Sequence, residues 1–353
     1  MKRSILMVTA ACFSMFACKK PSENTTTNVT GKQVITDFVN TIALPQYAAL
    51  QTEANTLNIA INRLNTTPNA ANLEAARTAW KDVRRAWELC EGFLLGPVED
   101  DNYDPNMDTW PVDYLQLDSF TLNSNSFTPA TIQSVGQSLR GFHPLEFILW
   151  GKNGNATVDS ISPKQKQYMV GLAQDILNTV TALNESWATT GSNFQAVVLN
   201  AGAGSTRYTT RKEAIMAIIA GISDICGEVG GNKLYEPFIA YDSTKTESPF
   251  SHNSLIDFTN NLKGAQSVYL CSFNWQQGVS LSNFIAARNI SLDNKIKGQF
   301  TAAITALGNV TGTFESAIYN QRTQLQNAMN AINTLQATLD GEAKVFADTY
   351  VTD

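Results

Sequence analysis

The sequence is poor in the side chains from which most metal and redox sites are built. Its 353 residues include two histidines and five cysteines. Only Cys90, Cys226 and Cys271 follow residue 18, which permits at most one disulfide among them and gives no CxxC zinc motif. All three stand in apolar stretches, where a cysteine usually serves as a small core residue. A metal site in this chain must therefore use mostly oxygen ligands, which favours iron, manganese or calcium over catalytic zinc.

Positive charge and strand patterns are also scarce. The formal net charge is −6, and it becomes −8 if Lys2 and Arg3 are removed with an N-terminal leader. An acidic chain without a basic patch is a poor candidate for binding nucleic acid or anionic lipid headgroups. Alternation with a period of two residues is nearly absent, which excludes a fold built on a sheet. No segment after residue 16 is apolar for long enough to suggest a membrane span.

The N-terminus has the pattern of an export signal. Lys2 and Arg3 precede an apolar stretch, residues 5–16, that is too short to span a bilayer. Ala17 then stands directly before Cys18, so we predict that residues 1–17 are a lipoprotein-type signal peptide and that Cys18 is lipidated. Secretion with an unmodified Cys18 is the alternative. Residues 18–32 are polar and predict a flexible tether. The expected location is the bacterial cell envelope, with the lipid anchor as the only contact with the membrane.

Helical periodicity covers the rest of the chain. The predicted helices of the first half span residues 34–64, 69–93, 131–150 and 164–187, the first of them bent at Pro45. Residues 189–206 are rich in Gly, Ser, Thr and Asn and separate the halves. Helices resume at residues 208–229, 254–270, 281–286, 292–307 and 314–347. The predicted fold is all-α, with two packed helical bundles formed by residues 33–190 and 205–353.

One apolar stretch contains the main candidate for a binding site, in the order Gly141, Phe142, His143, Pro144, Leu145, Glu146. Residues three apart share a helical face, so the side chains of His143 and Glu146 can converge on a metal ion or a polar ligand. A buried structural hydrogen bond between them is the alternative. Pro144 fits best in the first turn of a helix, so we expect the helix to start or kink beside His143.

Other polar residues are expected to join this pair. Arg84 and Glu91 recur at helical spacing with two tryptophans, and charges on an interior face need partners. The acidic loop of residues 95–113 carries Asp108 and Trp110, which are placed to close over the same site. We predict a polar cavity where the two bundles meet, with Arg84, Glu91 and Asp108 near His143 and Glu146. The second half is expected to contribute the segment from Ser251 to Asn253, just before a helix.

The ordered set of motifs resembles the imelysin family, exported bacterial proteins also described as iron-regulated protein A-like. The central match is the Gly-x-His-x-x-Glu signature at Gly141, His143 and Glu146. The similarity runs from about residue 34 to the last helix. Its other matches are Leu149-Trp150-Gly151, Ala79-Trp80 with Arg84 and Glu91, Gly96-Pro97, Asp108-x-Trp110-Pro111, and Ser248-Pro249-Phe250-Ser251-x-Asn253 with Asp257.

The resemblance implies two helical bundles with the signature near their interface, a role in iron acquisition, and a label as a metallopeptidase. A zinc peptidase would need further ligands such as His252, because Phe147 follows Glu146 and neither HExxH nor HxxEH is present. A metallopeptidase and an interaction protein without a small ligand remain the alternatives. The function we expect is uptake of iron, together with other envelope iron-uptake proteins.

The expected ligand is iron, another divalent metal or an iron-containing small molecule, with His143 and Glu146 as candidate metal ligands. The full candidate set for ligand binding is Gly141, His143, Glu146, Arg84, Glu91, Asp108, Trp110, Ser251 and Asn253.

Overall fold

The computed structural model describes residues 29–352 and is helical nearly throughout. The predicted leader, Cys18 and most of the tether lie outside these residues. A single hairpin, β1 (Ser272–Phe273) and β2 (Gln276–Gln277), is the only sheet in the described part. The all-α prediction is confirmed.

Within residues 29–352, eighteen α-helices, α1 to α18, are joined by loops and by short 3-10 and π-helical turns. In chain order they are Gly31–Asp37, Leu44–Thr66, Ala70–Cys90, Pro97–Asp100, Tyr103–Met107, Tyr114–Asn123, Pro129–Gln133, Phe142–Trp150, Pro163–Trp187, Phe194–Leu199, Arg211–Glu228, Tyr235–Ala240, Ser254–Leu270, Leu281–Ala286, Ile290–Gly308, Phe314–Asn320, Arg322–Thr338 and Lys344–Tyr350.

Proline has a local effect on the first long helix. Residues 31–66 are helical without interruption, but the stretch Phe38–Ala43 between α1 and α2 is π-helical. Pro45 lies in the first turn of α2. Its ring cannot donate a hydrogen bond and crowds the preceding turn, and a wider turn relieves that crowding. The structure thus places a π-helical stretch just before the proline, and the bend at Pro45 stays a prediction.

Two groups of helices contribute to one continuous apolar core in the described residues. In the first half, α2 packs on α3 and α9, and Tyr47, Leu50 and Trp80 are fully buried there. In the second half, α11, α15 and α17 pack together around residues such as Ile222 and Phe300, also fully buried. Removing a side chain of this size from water contributes about 1.5–3 kcal/mol.

The halves pack closely where the end of α3 and the 3-10 turn Glu91–Phe93 after it contact α13. A Cβ atom on Gly92 would lie 2.8 Å from the backbone nitrogen of Ala265, and one on Gly264 would lie 2.4 Å from the carbonyl oxygen of Leu89. Only glycine permits this backbone contact. It brings the polar residues of the C-terminal half of α3 directly against the second half of the chain.

Two predicted helices are in fact broken. The prediction for residues 131–150 is wrong because the chain forms α7, a 3-10 turn and α8, with Gly136 and Gly141 at the breaks. The prediction for residues 314–347 is also wrong, since α16 ends at Asn320 and Gln321 takes non-helical angles before α17. In both segments the apolar residues keep a helical spacing, which predicts one long helix. Glycine and local hydrogen bonding nevertheless interrupt the helix.

One helical stretch of the described residues is longer and more apolar than the sequence pattern predicted. Residues Arg211–Ala240 are long and apolar enough to cross a bilayer by length and composition. More than half of the most apolar window, 56%, is buried inside the protein. The stretch also contains Lys233 in a buried polar cluster. These features are typical of a core helix.

Candidate functional site

The signature helix α8 starts one residue before His143. Gly141 caps it with φ +84°, and a Cβ there would lie 2.0 Å from the carbonyl oxygen of Met107. Glycine is therefore required both by the backbone angle and by the space. Pro144 lies in the first turn, where its missing N–H removes no helical hydrogen bond. Gly141 thus shapes the backbone at the site and has no side chain to offer a ligand.

His143 and Glu146 are both buried. The imidazole ring of His143 lies between Glu146 and a second carboxylate, that of Asp108. The Nδ1 atom of His143 lies 3.8 Å from Glu146 Oε2, and its Nε2 atom lies 3.0 Å from Asp108 Oδ1. Neither ring nitrogen meets hydrogen-bond geometry with a described residue. Burial alone lowers the pKa of His143, but the carboxylates of Asp108 and Glu146 outweigh it and raise the pKa to about 9. The imidazole is held between two carboxylates.

Glu146 connects the two halves of the molecule. Its Oε1 atom accepts hydrogen bonds from the backbone N–H groups of Phe250 and Ser251, at 3.1 and 2.8 Å, and from the Ser251 hydroxyl at 2.6 Å. Its Oε2 atom has no hydrogen-bond partner within residues 29–352. One oxygen therefore fixes the loop of the second half, and only the other is available to a ligand.

Arg84 lies at the centre of the polar cluster and is fully buried. Its guanidinium contacts Glu88 one helical turn away and Asp108 from the acidic loop. From the second half it is reached by Glu247 at 3.3 Å and Asp257 at 3.8 Å. Burial would raise the pKa of Asp108, but Arg84 and His143 together hold it well below its usual range. Asp108 is thus ionised between Arg84 and His143.

A second buried cation, Lys233, lies beside Arg84. It ends the π-helical turn Val229–Lys233 and contacts Glu91 and Glu247, each with 3.1 Å between nitrogen and oxygen. Glu228 lies 3.4 Å away and is partly exposed, with 41% of its side chain accessible. Asn261 of α13 donates a hydrogen bond to Glu91 at 2.6 Å. Within the described residues Glu91 therefore pairs with Lys233 and α13, and not with Arg84 or His143 as the sequence suggested.

The second half contributes a loop, residues 246–253, and the start of α13. Ser248 and Asn253 donate hydrogen bonds to Asp257 at 2.7 and 2.6 Å. His252 lies outside the cluster, where its Nδ1 atom is 2.9 Å from Glu315 Oε2 and half of its side chain is exposed. The same carboxylate group of Glu315 accepts a hydrogen bond from Thr246 at 3.0 Å. Glu315 thus holds both ends of the loop.

The charges of this cluster do not balance. Six buried carboxylates face two permanent cations, Arg84 and Lys233, and one imidazole. Burial raises the pKa of Glu88 and Glu91 well above their usual range and that of Asp257 to about 6. Part of the excess negative charge is therefore held as protons, which a metal ion can replace. The six carboxylates are Glu88, Glu91, Asp108, Glu146, Glu247 and Asp257.

Three groups in this cluster have ligand atoms within 4.8 Å of one another, the spacing needed to hold a metal ion. They are Asp108 with His143 and Glu247, Glu88 with Glu247 and Asp257, and Glu88 with Glu91 and Asp108. Glu247 Oε2 and both ring nitrogens of His143 are buried without a hydrogen-bond partner in the described chain. Such atoms are expensive to bury unless something binds them. The group with His143 fits a metal with mixed nitrogen and oxygen ligands.

A cavity of about 230 Å³ leads to these groups. Asp108 and Glu247 form part of its wall, so two of the three atoms of the histidine-containing group are reached from it. Asp104 also lines it, and burial, followed by the charge of Asp108, raises the pKa of Asp104 to about 7. Trp110 is at the rim, where its indole N–H donates to the carbonyl of Lys245 at 3.4 Å. The entrance is therefore acidic and flanked by an aromatic ring.

The structure brings together most of the predicted site residues. Arg84, Glu91, Asp108, His143 and Glu146 lie in one cluster with Ser251 and Asn253, whereas Trp110 lines the entrance and Gly141 acts through the backbone. Sequence reasoning missed Glu88, Glu247, Asp257 and Lys233 as members. Glu88 could have been predicted, because it follows Arg84 by four residues and therefore lies beside it on the helix. The sequence around Lys233 contains no pattern that indicates a buried position.

The chain is similar to known proteins over most of its length. Residues 43–339 match the imelysin family model. The iron-regulated protein A of Synechococcus elongatus is 31% identical over 318 residues, which cover 87% of this chain and 84% of the relative.

Two solved structures share the fold. A protein described as an iron-regulated protein A precursor from Parabacteroides distasonis has a TM-score of 0.82 at 22% identity, over 93% of this chain and 96% of the other. An imelysin-like protein from Psychrobacter arcticum has a TM-score of 0.73 at 11% identity, over 88% of this chain and 93% of the other.

Proposed function

Because the chain belongs to the imelysin family, we propose that it is an exported, lipid-anchored envelope protein that binds iron between its two helical halves for uptake. The observation that carries the proposal is the group of Asp108, His143 and Glu247 beside an acidic cavity, in which buried atoms of His143 and Glu247 lack a hydrogen-bond partner. The name of the Synechococcus relative supports the link to iron. Binding and delivery, rather than chemical conversion, is the proposed role.

The size of the cavity favours a metal ion over a bulky iron compound. About 230 Å³ is smaller than the 300–1,000 Å³ or so that pockets for drug-sized ligands occupy. Carboxylates and one imidazole suit iron or manganese in either a divalent or a trivalent state. His143, Asp108 and Glu247 are the residues we propose as ligands. Glu146 is proposed to orient the loop of the second half and to present its free oxygen, Oε2, towards His143.

Metal titration tests the proposal directly. Purified protein is titrated with Fe²⁺ under anaerobic conditions and with Mn²⁺, and binding is followed by calorimetry. His143→Gln and Glu247→Gln are each expected to weaken binding on the order of tenfold or more, because a ligand is lost. Asp293→Asn is the matched control, since Asp293 is also a buried carboxylate but contacts Tyr269, Ser282 and Lys297 instead. Equal effects in the three variants would contradict the assigned site.

Export and anchoring are tested separately. In a bacterial host fed with a labelled fatty acid, the protein is expected to carry the label and to fractionate with membranes. Cys18→Ala should abolish both properties, since the thiol is the proposed point of attachment.

Expression that does not respond to iron starvation would count against a role in uptake.

Peptidase activity is the second candidate, and the hydrogen bonds of Glu146 limit it. Three donors fix Oε1 of Glu146 to the loop of the second half, so only Oε2, which lies 3.8 Å from His143 Nδ1, is left to accept a proton from water. Incubation with unfolded protein substrates is expected to show no cleavage that a chelator abolishes. Chelator-sensitive cleavage that is lost in Glu146→Gln would establish the peptidase instead.

A further inference from the structure

Lys233 occupies an unusual position with respect to the proposed metal ligands. Its ammonium lies 3.1 Å from both Glu91 and Glu247 and 4.0 Å from Glu88. Each of the three metal-capable groups contains at least one of these carboxylates. A metal ion in any of them would lie close to a fixed positive charge, and like charges at such distances repel strongly in a buried site. Lys233 and the metal ion therefore compete for the same oxygens.

The surroundings of Lys233 offer it a second position. Glu228 lies 3.4 Å from the ammonium on the outer side, and its side chain is 41% exposed at the cavity wall. The lysine stem is long and rotates freely about four bonds. Lys233 also ends a π-helical turn that includes Gly230 and Gly231, a kind of helical irregularity that is frequent at functional sites. A small outward movement would exchange Glu91 and Glu247 for Glu228.

We propose that Lys233 is a built-in counter-ion of the metal-free site, which moves towards Glu228 when a metal ion binds and returns when the ion leaves. This proposal rests on the proposed function, because it describes how the same site is regulated. The lysine keeps the excess carboxylates from repelling one another in the metal-free protein. By competing with the ion, it also keeps the affinity low enough for release to a partner. The proposed site therefore binds the metal ion reversibly and does not retain it permanently.

Removing the competing charge tests the first part. Lys233→Met keeps most of the apolar stem and removes the ammonium, so Mn²⁺ is expected to bind on the order of tenfold or more tightly. Lys295→Met is the matched control, because Lys295 forms a surface pair with Glu342. It should leave the affinity unchanged. Weaker binding in Lys233→Met would overturn the proposal, since it would make Lys233 part of the recognition of the ligand.

A second variant remains informative if Lys233→Met does not fold. Glu228→Gln removes the outer partner and is expected to weaken Mn²⁺ binding severalfold, because the displaced lysine has nowhere to go. Glu236→Gln controls for the loss of one exposed negative charge nearby and should have a smaller effect. If the two glutamine variants bind equally, the outward movement is wrong.

A double-mutant cycle separates displacement from general electrostatics. In the Lys233→Met background, Glu228→Gln should no longer weaken binding, whereas purely additive charge effects would persist and overturn the proposal. Failure of the proposed function looks different. In that case neither the wild-type protein nor any variant binds Fe²⁺ or Mn²⁺, whereas the Lys233 proposal alone fails if the wild type binds and Lys233→Met binds no tighter.

Discussion

Two buried arginines of the first half are used in opposite ways. Arg140 donates hydrogen bonds to Asp175 at 3.0 and 3.1 Å and to Asn106 at 3.0 Å. Gln133 donates to the same carboxylate at 3.1 Å. One positive charge faces one negative charge, and every polar side-chain atom of the pair has a hydrogen-bond partner. An interaction of this kind fixes the fold and leaves nothing for a ligand.

Arg84 has the opposite surroundings. It faces Glu88, Asp108, Glu247 and Asp257, and its Nε atom has no hydrogen-bond partner in the described residues. Even with Lys233 nearby, the acids outnumber the cations. The comparison shows that burial of an ion pair does not identify a binding site. An excess of one charge, combined with polar atoms that lack hydrogen-bond partners, distinguishes the surroundings of Arg84 and supports the proposed site there.

The largest expected effect comes from removing each arginine. Arg84→Met and Arg140→Met should each destabilise the fold by about 3–5 kcal/mol, because buried carboxylates lose their cation. Saturating Mn²⁺ is expected to restore part of the loss in Arg84→Met, where the ion can replace the missing charge, and none in Arg140→Met. Urea unfolding with and without the metal measures both. An identical metal response in the two variants would remove the distinction between the clusters.

Neutralising one carboxylate in each cluster should give a contrast in the metal-free protein. Asp175→Asn leaves Arg140 without its counter-charge and is expected to lower stability by about 3 kcal/mol. Glu247→Gln removes one of several excess acids and leaves Arg84 and Lys233 with other carboxylate partners, so the metal-free protein should lose much less stability than in Asp175→Asn. Chemical unfolding in the presence of a chelator checks this. A loss in Glu247→Gln as large as in Asp175→Asn would mean that the charges around Arg84 are balanced after all.

The pH dependence of stability should follow His143. Its pKa is about 9 in the folded protein, against the ordinary value of 6.5 in an unfolded chain. Protonated His143 therefore stabilises the fold fully below pH 6.5, and this contribution, roughly 3 kcal/mol, is lost as the pH rises through 9. Metal-free protein should be less stable at pH 10 than at pH 6, and His143→Gln should flatten the fall. An unchanged slope would assign the fall to other groups, such as Glu88 and Glu91, whose pKa burial raises well above the usual range.

The smallest effect is expected at the other histidine. His252 and Glu315 form a half-exposed pair outside the cluster, so His252→Ala should lower stability by less than about 1 kcal/mol. Thr246 keeps its own hydrogen bond to Glu315, so the loop remains attached and metal affinity should change little. Thermal melting and Mn²⁺ titration measure the two quantities. A loss of affinity comparable to that in His143→Gln would place His252 in the binding machinery.

Sequence reasoning was strongest where one local pattern decides the structure. The predicted helix at residues 254–270 matches Ser254–Leu270, and that at residues 281–286 matches Leu281–Ala286. In both helices, the apolar period and the flanking polar residues indicate the same start and end. It failed for residues 131–150 because the period continues across Gly136 and Gly141, where the backbone leaves the helix.

The site was predictable in part for a similar reason. Arg84, His143 and Glu146 are charged or polar residues in apolar surroundings, which is visible in a single stretch of sequence. Lys233 and Glu247 are close only because α3, α13 and the turn after α11 converge, and that depends on tertiary packing. Nothing in the immediate sequence of Lys233 distinguishes it from a surface lysine.

The backbone contact at Gly92 and Gly264 limits how the protein could exchange the ion that we propose it binds. Binding proteins whose lobes separate like a clamshell need a hinge and an interface that can part, but here two helices touch without side chains between them. Parting them would open a gap that no side chain can fill, with a large loss of dispersion contacts. We therefore expect the lobes to stay closed throughout the cycle. The ion would then enter and leave through the acidic cavity. Its exchange would be limited by the rotation of side chains, which is faster than the motion of whole domains.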